Sequence, residues 1–417
     1  MATVDDDAGT SEQAIAASTW IMTESHEFLQ NMLSYLPALE LVKCARVCHQ
    51  WKKEVDLILR SREQIGWVSY NYNTAREGGS DHILGHFGEN LDECVQSLWS
   101  IPYHVLMFTE LVRCTDYTIG TRQRGHFSMP GCGFGRQQKW QEIHHVLDLI
   151  RDRLPQQCNL LSIQTSGTVG TYRNMQLAGE SEGDGAATAI LFPKMQGVNI
   201  EHLKVTRKSL TEGSLREALG IAQTPDIKCV LLFGFGNTPA AQFLATRLQT
   251  SFRETYGWDP VIAGAIGDDL LTKQDLTKEE IMTKVIGVTF SGPNVHTASV
   301  LLDSNVCSKE HVKLELQKLK KVGLCEKKSV AFMFACVGRG VDFHEEENAE
   351  SEAFHELFPN TPLFGFFGNG EIGCENFACG KAMTSEEDDG DSCMDKLPEI
   401  MHGYTTIICL LSFGPAT

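Results

Sequence analysis

The sequence predicts an α+β protein, in which a small N-terminal three-helix unit precedes two similar subdomains of mixed sheet and helix. Three observations carry this. Apolar residues repeat at helical spacing in three short runs before residue 60. Ten apolar runs of strand length then follow between residues 104 and 413. Two stretches of that second region share one plan of strand, glycine turn, helix and strand.

Length and composition agree with more than one folded unit. A chain of 417 residues exceeds the ~250–300 at which single cores stop growing. Hydrophobic residues at 42% and charged residues at 22% are ordinary for a globular chain and exclude global disorder. The net charge of -18 repels phosphate backbones and anionic lipid, and Lys318–Lys321 is a solvated helix face and not a basic patch, so neither nucleic acid nor membrane is an expected direct partner. No apolar run nears the ~20 residues that span a bilayer, and the Asp5-Asp6-Asp7 start is unlike a secretory signal. An intracellular protein is expected, its 14 cysteines reduced, as for Cys229 inside an apolar run.

Residues 1–22 read as a tail. In the unit at 23–65, Ser25 is the expected N-cap of a helix carrying Phe28, Leu29, Met32, Leu33 and Leu36, stopped by Pro37. A second stripe joins Leu41, Cys44, Ala45 and Cys48, and a third joins Trp51, Val55 and Ile58. So few residues make a poor independent core, which leaves an apolar face for a partner or for the rest of the chain.

Expected strands lie at 104–108, 160–164, 189–192, 229–233, 261–265, 285–290, 297–302, 330–337, 363–367 and 405–413, with helices at 138–153, 239–256, 309–322 and 349–358. The duplicated plan runs from 229–233 through Gly234-Phe235-Gly236 to 261–267, and again from 330–337 through Gly338-Arg339-Gly340 to 363–370. Halves at 66–270 and 271–417 follow. Because 330–337 and 405–413 lack polar alternation, both are expected inside a sheet with both faces covered.

The glycine turns after Val337 and Phe367 would bring Cys336, Arg339, Asn369 and Glu371 to one end of a sheet. Arg339 offers a planar fork for a carboxylate or carbonyl and Glu371 the opposite charge, so the rim could orient a polypeptide; the bland alternative is an internal Arg339–Glu371 ion pair. Cys336 at a strand end could be a nucleophile with His344 or His355 as base, although a structural cysteine is the commoner outcome. The glycines could equally line a small-ligand pocket or simply turn the chain, and neither P-loop nor Rossmann spacing is present. No cysteine and histidine spacing suits a zinc-bound RING, so no metal or cofactor is expected.

The run Phe28-Leu29-Gln30-Asn31-Met32-Leu33-Ser34-Tyr35-Leu36-Pro37, then Leu41, then Val47-Cys48-His49-Gln50-Trp51 resembles an F-box. The departure is His26-Glu27, where that family usually carries a further Leu-Pro. The body resembles paired FIST domains, most specifically at 332–340, 363–374 and 404–407. The resemblance implies a non-catalytic substrate receptor that docks on a Skp-family linker protein, and through it on a cullin scaffold and RING subunit, in the cytoplasm and nucleus, to bring target proteins to ubiquitination and degradation. Leu33, Leu36, Pro37, Leu41, Val47 and Trp51 would then bind the linker protein, and Cys336, Arg339, Asn369 and Glu371 the target. The competing expectation is an intracellular small-ligand sensor or thiol enzyme using the glycine loops and Cys336.

Overall fold

The computed structural model describes residues 26–71, 83–110, 147–172, 178–206, 215–377 and 398–414, apart from 149, 183–184, 222–223, 225, 237, 257–258 and 273–276. The expected tail, the Ser25 cap and most of the helix at 138–153 lie outside those residues.

Three helices come first: α1 (His26–Ser34), α2 (Ala38–Cys44) and α3 (His49–Ser61). Their stripes converge on a core of Leu29, Leu33, Leu41, Val55 and Ile58. The unit is bonded firmly to the body. Arg62 donates from Nη1 to the carbonyls of Leu36 (2.8 Å) and Trp99 (3.0 Å) and from Nη2 to that of Ser34 (2.7 Å), while its guanidinium lies 4.7 Å over the Trp99 ring. The Ala38 amide donates to the Leu98 carbonyl at 2.8 Å. Glu63 accepts from the Gln196 amide and the Lys328 ammonium.

The body is α+β, and its ten expected strands are all present. It is built from three repeats instead of the expected two. The first contains β1 (Gly66–Asn71), α4 (Ile83–Ser97), β2 (Pro102–Glu110), β3 (Asn159–Gln164), β4 (Gly167–Thr171), β5 (Ala178–Glu182) and β6 (Ala186–Pro193). The second contains β7 (Asn199–Leu203), β8 (Ile227–Phe235), α5 (Thr238–Tyr256), β9 (Val261–Gly267), β10 (Asp269–Leu270) and β11 (Val285–Ser291). The third contains β12 (Val295–Leu302), α6 (Lys309–Lys321), β13 (Ser329–Cys336), α7 (Val341–His344), α8 (Ala349–Leu357), β14 (Leu363–Gly368), β15 (Glu371–Gly373), β16 (Met401–His402) and β17 (Thr406–Phe413).

Each sheet has the same order: first strand, last strand, a central parallel pair, then one or two strands given by another repeat. The orders are β1-β6-β2-β3-β10, β7-β11-β8-β9-β15-β16 and β12-β17-β13-β14-β4-β5. The gift is cyclic: the second repeat completes the first sheet, the third completes the second, and the first completes the third. β11, beyond residue 270, lies inside the second sheet, so no sheet boundary falls at the division expected between halves.

Side-chain alternation explains the unbroken apolar runs. In β8, Cys229, Leu231 and Phe233 face a core shared by all three sheets, while Val230 and Leu232 face the helix of their own repeat. In β13, Phe332 and Phe334 face inward and Ala331 and Met333 pack outward with α6 and α8. Both β13 and β17 are interior strands, as expected. At the centre, Phe108, Phe233 and Phe334 occupy matching positions of the three parallel pairs, opposite Ile163, Ala265 and Phe366. Their centroids are 5.7–6.3 Å apart, all three are buried, and the pseudo-threefold axis is closed by aromatic packing.

Candidate functional site

Two surfaces were expected to carry function, and the structure revises both. On the helical unit, Leu33 and Leu41 are fully buried in the core of that unit, so neither can contact a partner directly. The reason is size: with so few residues, the stripe that marks each helix must fill the unit's own interior. Leu36, Pro37 and Trp51 are half-buried, and Val47 is 64% exposed. Phe28, Tyr35, Leu39, Val42 and Leu57 are also exposed. Leu39 and Val42 were visible in the sequence as apolar residues out of phase with the inward Leu41, the mark of a helix that is apolar on two sides. The unusual His26 has a structural use: its Nδ1 pairs at 2.7 Å with Glu54 Oε1, a carboxylate 3% exposed on α3, and so ties α1 to α3.

At the end of β13, only Asn369 of the expected rim is exposed; Cys336 is half-buried, and Arg339 and Glu371 are fully buried. Arg339 and Glu371 are also not partners. Arg339 donates to Glu350 Oε1 from Nε (2.9 Å) and Nη2 (2.6 Å), and to the carbonyls of Asp303 (2.8 Å), Val306 (2.8 Å) and Tyr404 (3.2 Å). His344 Nε2 meets the same Glu350 oxygen at 3.0 Å. Burial opposes ionisation of Glu350, but His344 and Arg339 outweigh it and hold the carboxyl below its ordinary range. Glu371 instead accepts from the Thr405 amide (3.2 Å) and hydroxyl (2.9 Å), and burial pushes its carboxyl up to about 7. Glu180, on the strand pair given by the first repeat, caps α8 by accepting from the Ser351 amide at 2.8 Å; burial and then Glu350 raise it to about 7.

These contacts decide what the loops can do. Burial, with a contribution from Glu371, pushes the Cys336 thiol up, which disfavours the thiolate, and His344 is held by Glu350. Arg339 and Glu371 frame the loops from inside. What they present outward is a group that sequence reasoning passed over: Val337, Val341 and Tyr404 are 39%, 45% and 65% exposed beside Cys336 and Asn369. Tyr404 belonged to a run singled out in the sequence, yet nothing there signalled that its ring would face solvent.

The three-helix unit with its exposed apolar residues precedes a body of sheets in which a profile of the FIST C domain matches residues 297–374. The chain is 30% identical over 415 residues to F-box only protein 22 of Homo sapiens, covering 95% of both chains, and equally so to that of Pongo abelii. It belongs to the F-box only protein 22 family. The solved structure of a cyanuric acid hydrolase from A. caulinodans aligns with 84% of this chain and 99% of its own at 10% identity; at a TM-score of 0.28 that likeness carries no argument.

Proposed function

We propose that this protein is a substrate receptor of a Skp–cullin–F-box ubiquitin ligase, without catalysis of its own, acting in the cytoplasm and nucleus. The observation that carries this reading is the exposed apolar face of the α1–α3 unit, with Leu39, Val42 and Val47 on one stretch of chain in a member of an F-box family. Residues of this kind stay in water at a cost unless a partner covers them. A Skp-family linker protein is that partner, and it brings the cullin and RING subunit with it. The body then holds the target. Against a thiol enzyme stand the raised thiol of Cys336 and the engagement of His344 by Glu350.

Copurification with the linker protein tests the reading. The intact chain should retain it, and Leu39→Asp with Val47→Asp should release it while circular dichroism and melting of the body stay unchanged. Retention by the double variant, or failure of the intact chain to bind, overturns the proposal.

A further inference from the structure

Among the described residues of the body, large apolar side chains are exposed at seven positions, and three of these, Val337, Val341 and Tyr404, lie on the connections that follow β13 and precede β17. Tyr404 is held out by design of the backbone. It sits at φ 59, a left-handed conformation that costs a residue with a β-carbon energy, and its neighbours enforce it. Its carbonyl accepts from Arg339, and the next residue, Thr405, is bound through amide and hydroxyl to Glu371. The ring lies over Gly338, one residue after the exposed Val337, and is itself 65% exposed. Two buried charged side chains thus fix one exposed aromatic ring.

Carboxylates surround this apolar seat. Asp303, Asp342 and Glu345 are exposed on the adjoining turns, and Glu182 accepts from the Val341 amide at 3.3 Å. Among the described residues, two cations of the adjoining elements are engaged elsewhere. Arg339 is sealed beneath the loops, and Lys309 is bridged to Glu352 (2.5 Å) and Glu356 (3.3 Å). The field above the seat is therefore negative, as is the protein as a whole at -18.

We infer that the Val337–Val341–Tyr404 seat takes a target segment in which an apolar side chain is flanked by lysine or arginine. This rests on the receptor reading and gives it a substrate class. The apolar residue packs on the Tyr404 ring, which contributes rigid contact area at little cost in conformational entropy. The flanking cations speed encounter and set register against Asp303, Asp342 and Glu345, and Asn369 offers its amide to the segment's backbone. An acidic segment with the same apolar residue is repelled.

The test uses the full chain with its linker protein and labelled peptides in which a central leucine or phenylalanine is flanked by lysine and arginine, by serine, or by glutamate. Basic-flanked peptides should bind at least tenfold more tightly than acidic-flanked ones, and that preference should shrink severalfold as salt rises from low to high. Tyr404→Asn, which retains a residue tolerant of the left-handed backbone, and Val341→Asn should each abolish the apolar contribution while the melting temperature holds. The idea is overturned if acidic-flanked peptides bind as well, or if both variants bind basic-flanked peptides like the parent. It is also overturned if Tyr404→Asn instead disperses a concentration-dependent dimer, which would make a second copy the occupant. Linker copurification, scored on the same samples, reports on the receptor reading separately from the peptide result.

Discussion

Arg339 has five N–H groups, and all of them are directed inward, to one carboxylate and three backbone carbonyls. The sequence places a complementary Glu371 on the neighbouring turn, and pairing the two is the natural reading of adjoining loops. The pairing was not legible because spacing located the helix at 349–358 but not its packing beneath the loops, which brings Glu350 to Arg339, and because Thr405 returns from the far end of the chain to take Glu371. Burial of Glu371 has a pH signature. The folded protein keeps this proton up to about 7, whereas the unfolded chain releases it near the ordinary 4.5. Between those values the unfolded state binds fewer protons, so stability falls as pH rises through the window and levels off above it. Glu371→Gln keeps an oxygen for Thr405 and removes this contribution; what remains of the slope includes that of Glu180, raised in the same sense. Urea unfolding of both proteins from pH 5 to pH 8 should show the variant gaining on the parent toward neutrality. A constant difference across that range would refute the assignment.

For the helices of the N-terminal unit, the sequence located all three elements and the residues of their stripes. It did not distinguish the apolar side that fills the unit from the apolar side that faces out, since both read alike when only spacing is known. Leu33 and Leu41 went to the interior, and Leu39 and Val42 to the surface. The two classes fail differently when mutated. Leu41→Ala opens a cavity in a core of five buried side chains and should cost about 2–5 kcal/mol within the unit. Its loss of linker binding should therefore track loss of helical signal and recover on cooling to the range where the unit refolds. Val47→Asp should lose binding at every temperature with its helices intact. Recovery of the Val47 variant on cooling would return that residue to the core.

On the scale of the whole body, two of the three repeats were legible and the third was hidden. The second and third share Gly264 and Gly365 at matching positions, where a Cβ would overlap the carbonyl oxygen of Leu232 or Met333 and only glycine fits. The first repeat has Ser162 there, and residues 111–158 separate its parallel strands, so the shared plan is lost to the eye. Cyclic exchange of strands was equally beyond reach, because a short strand carries no mark of the sheet it joins. The exchange makes the three repeats one cooperative body: no sheet is complete without a neighbour. Phe233→Ala at the closed axis should cost about 3–5 kcal/mol, and hydrogen exchange should speed up in β2, β8 and β13 together. Loss of protection confined to β8 and its partners would show that the repeats open independently.

The Arg62 clamp gives the molecule a fixed reach. With Leu36, Ser34 and Trp99 bonded to one guanidinium, and Glu63 bonded to Gln196 and Lys328, the joint between helical unit and body is braced at several points. In a receptor, such a joint behaves as a ruler: a held target is offered to the ubiquitin-bearing arm at one distance and one angle. Which of its lysines is modified then becomes a question of geometry, and a target gripped tightly with every lysine out of range would leave unmarked.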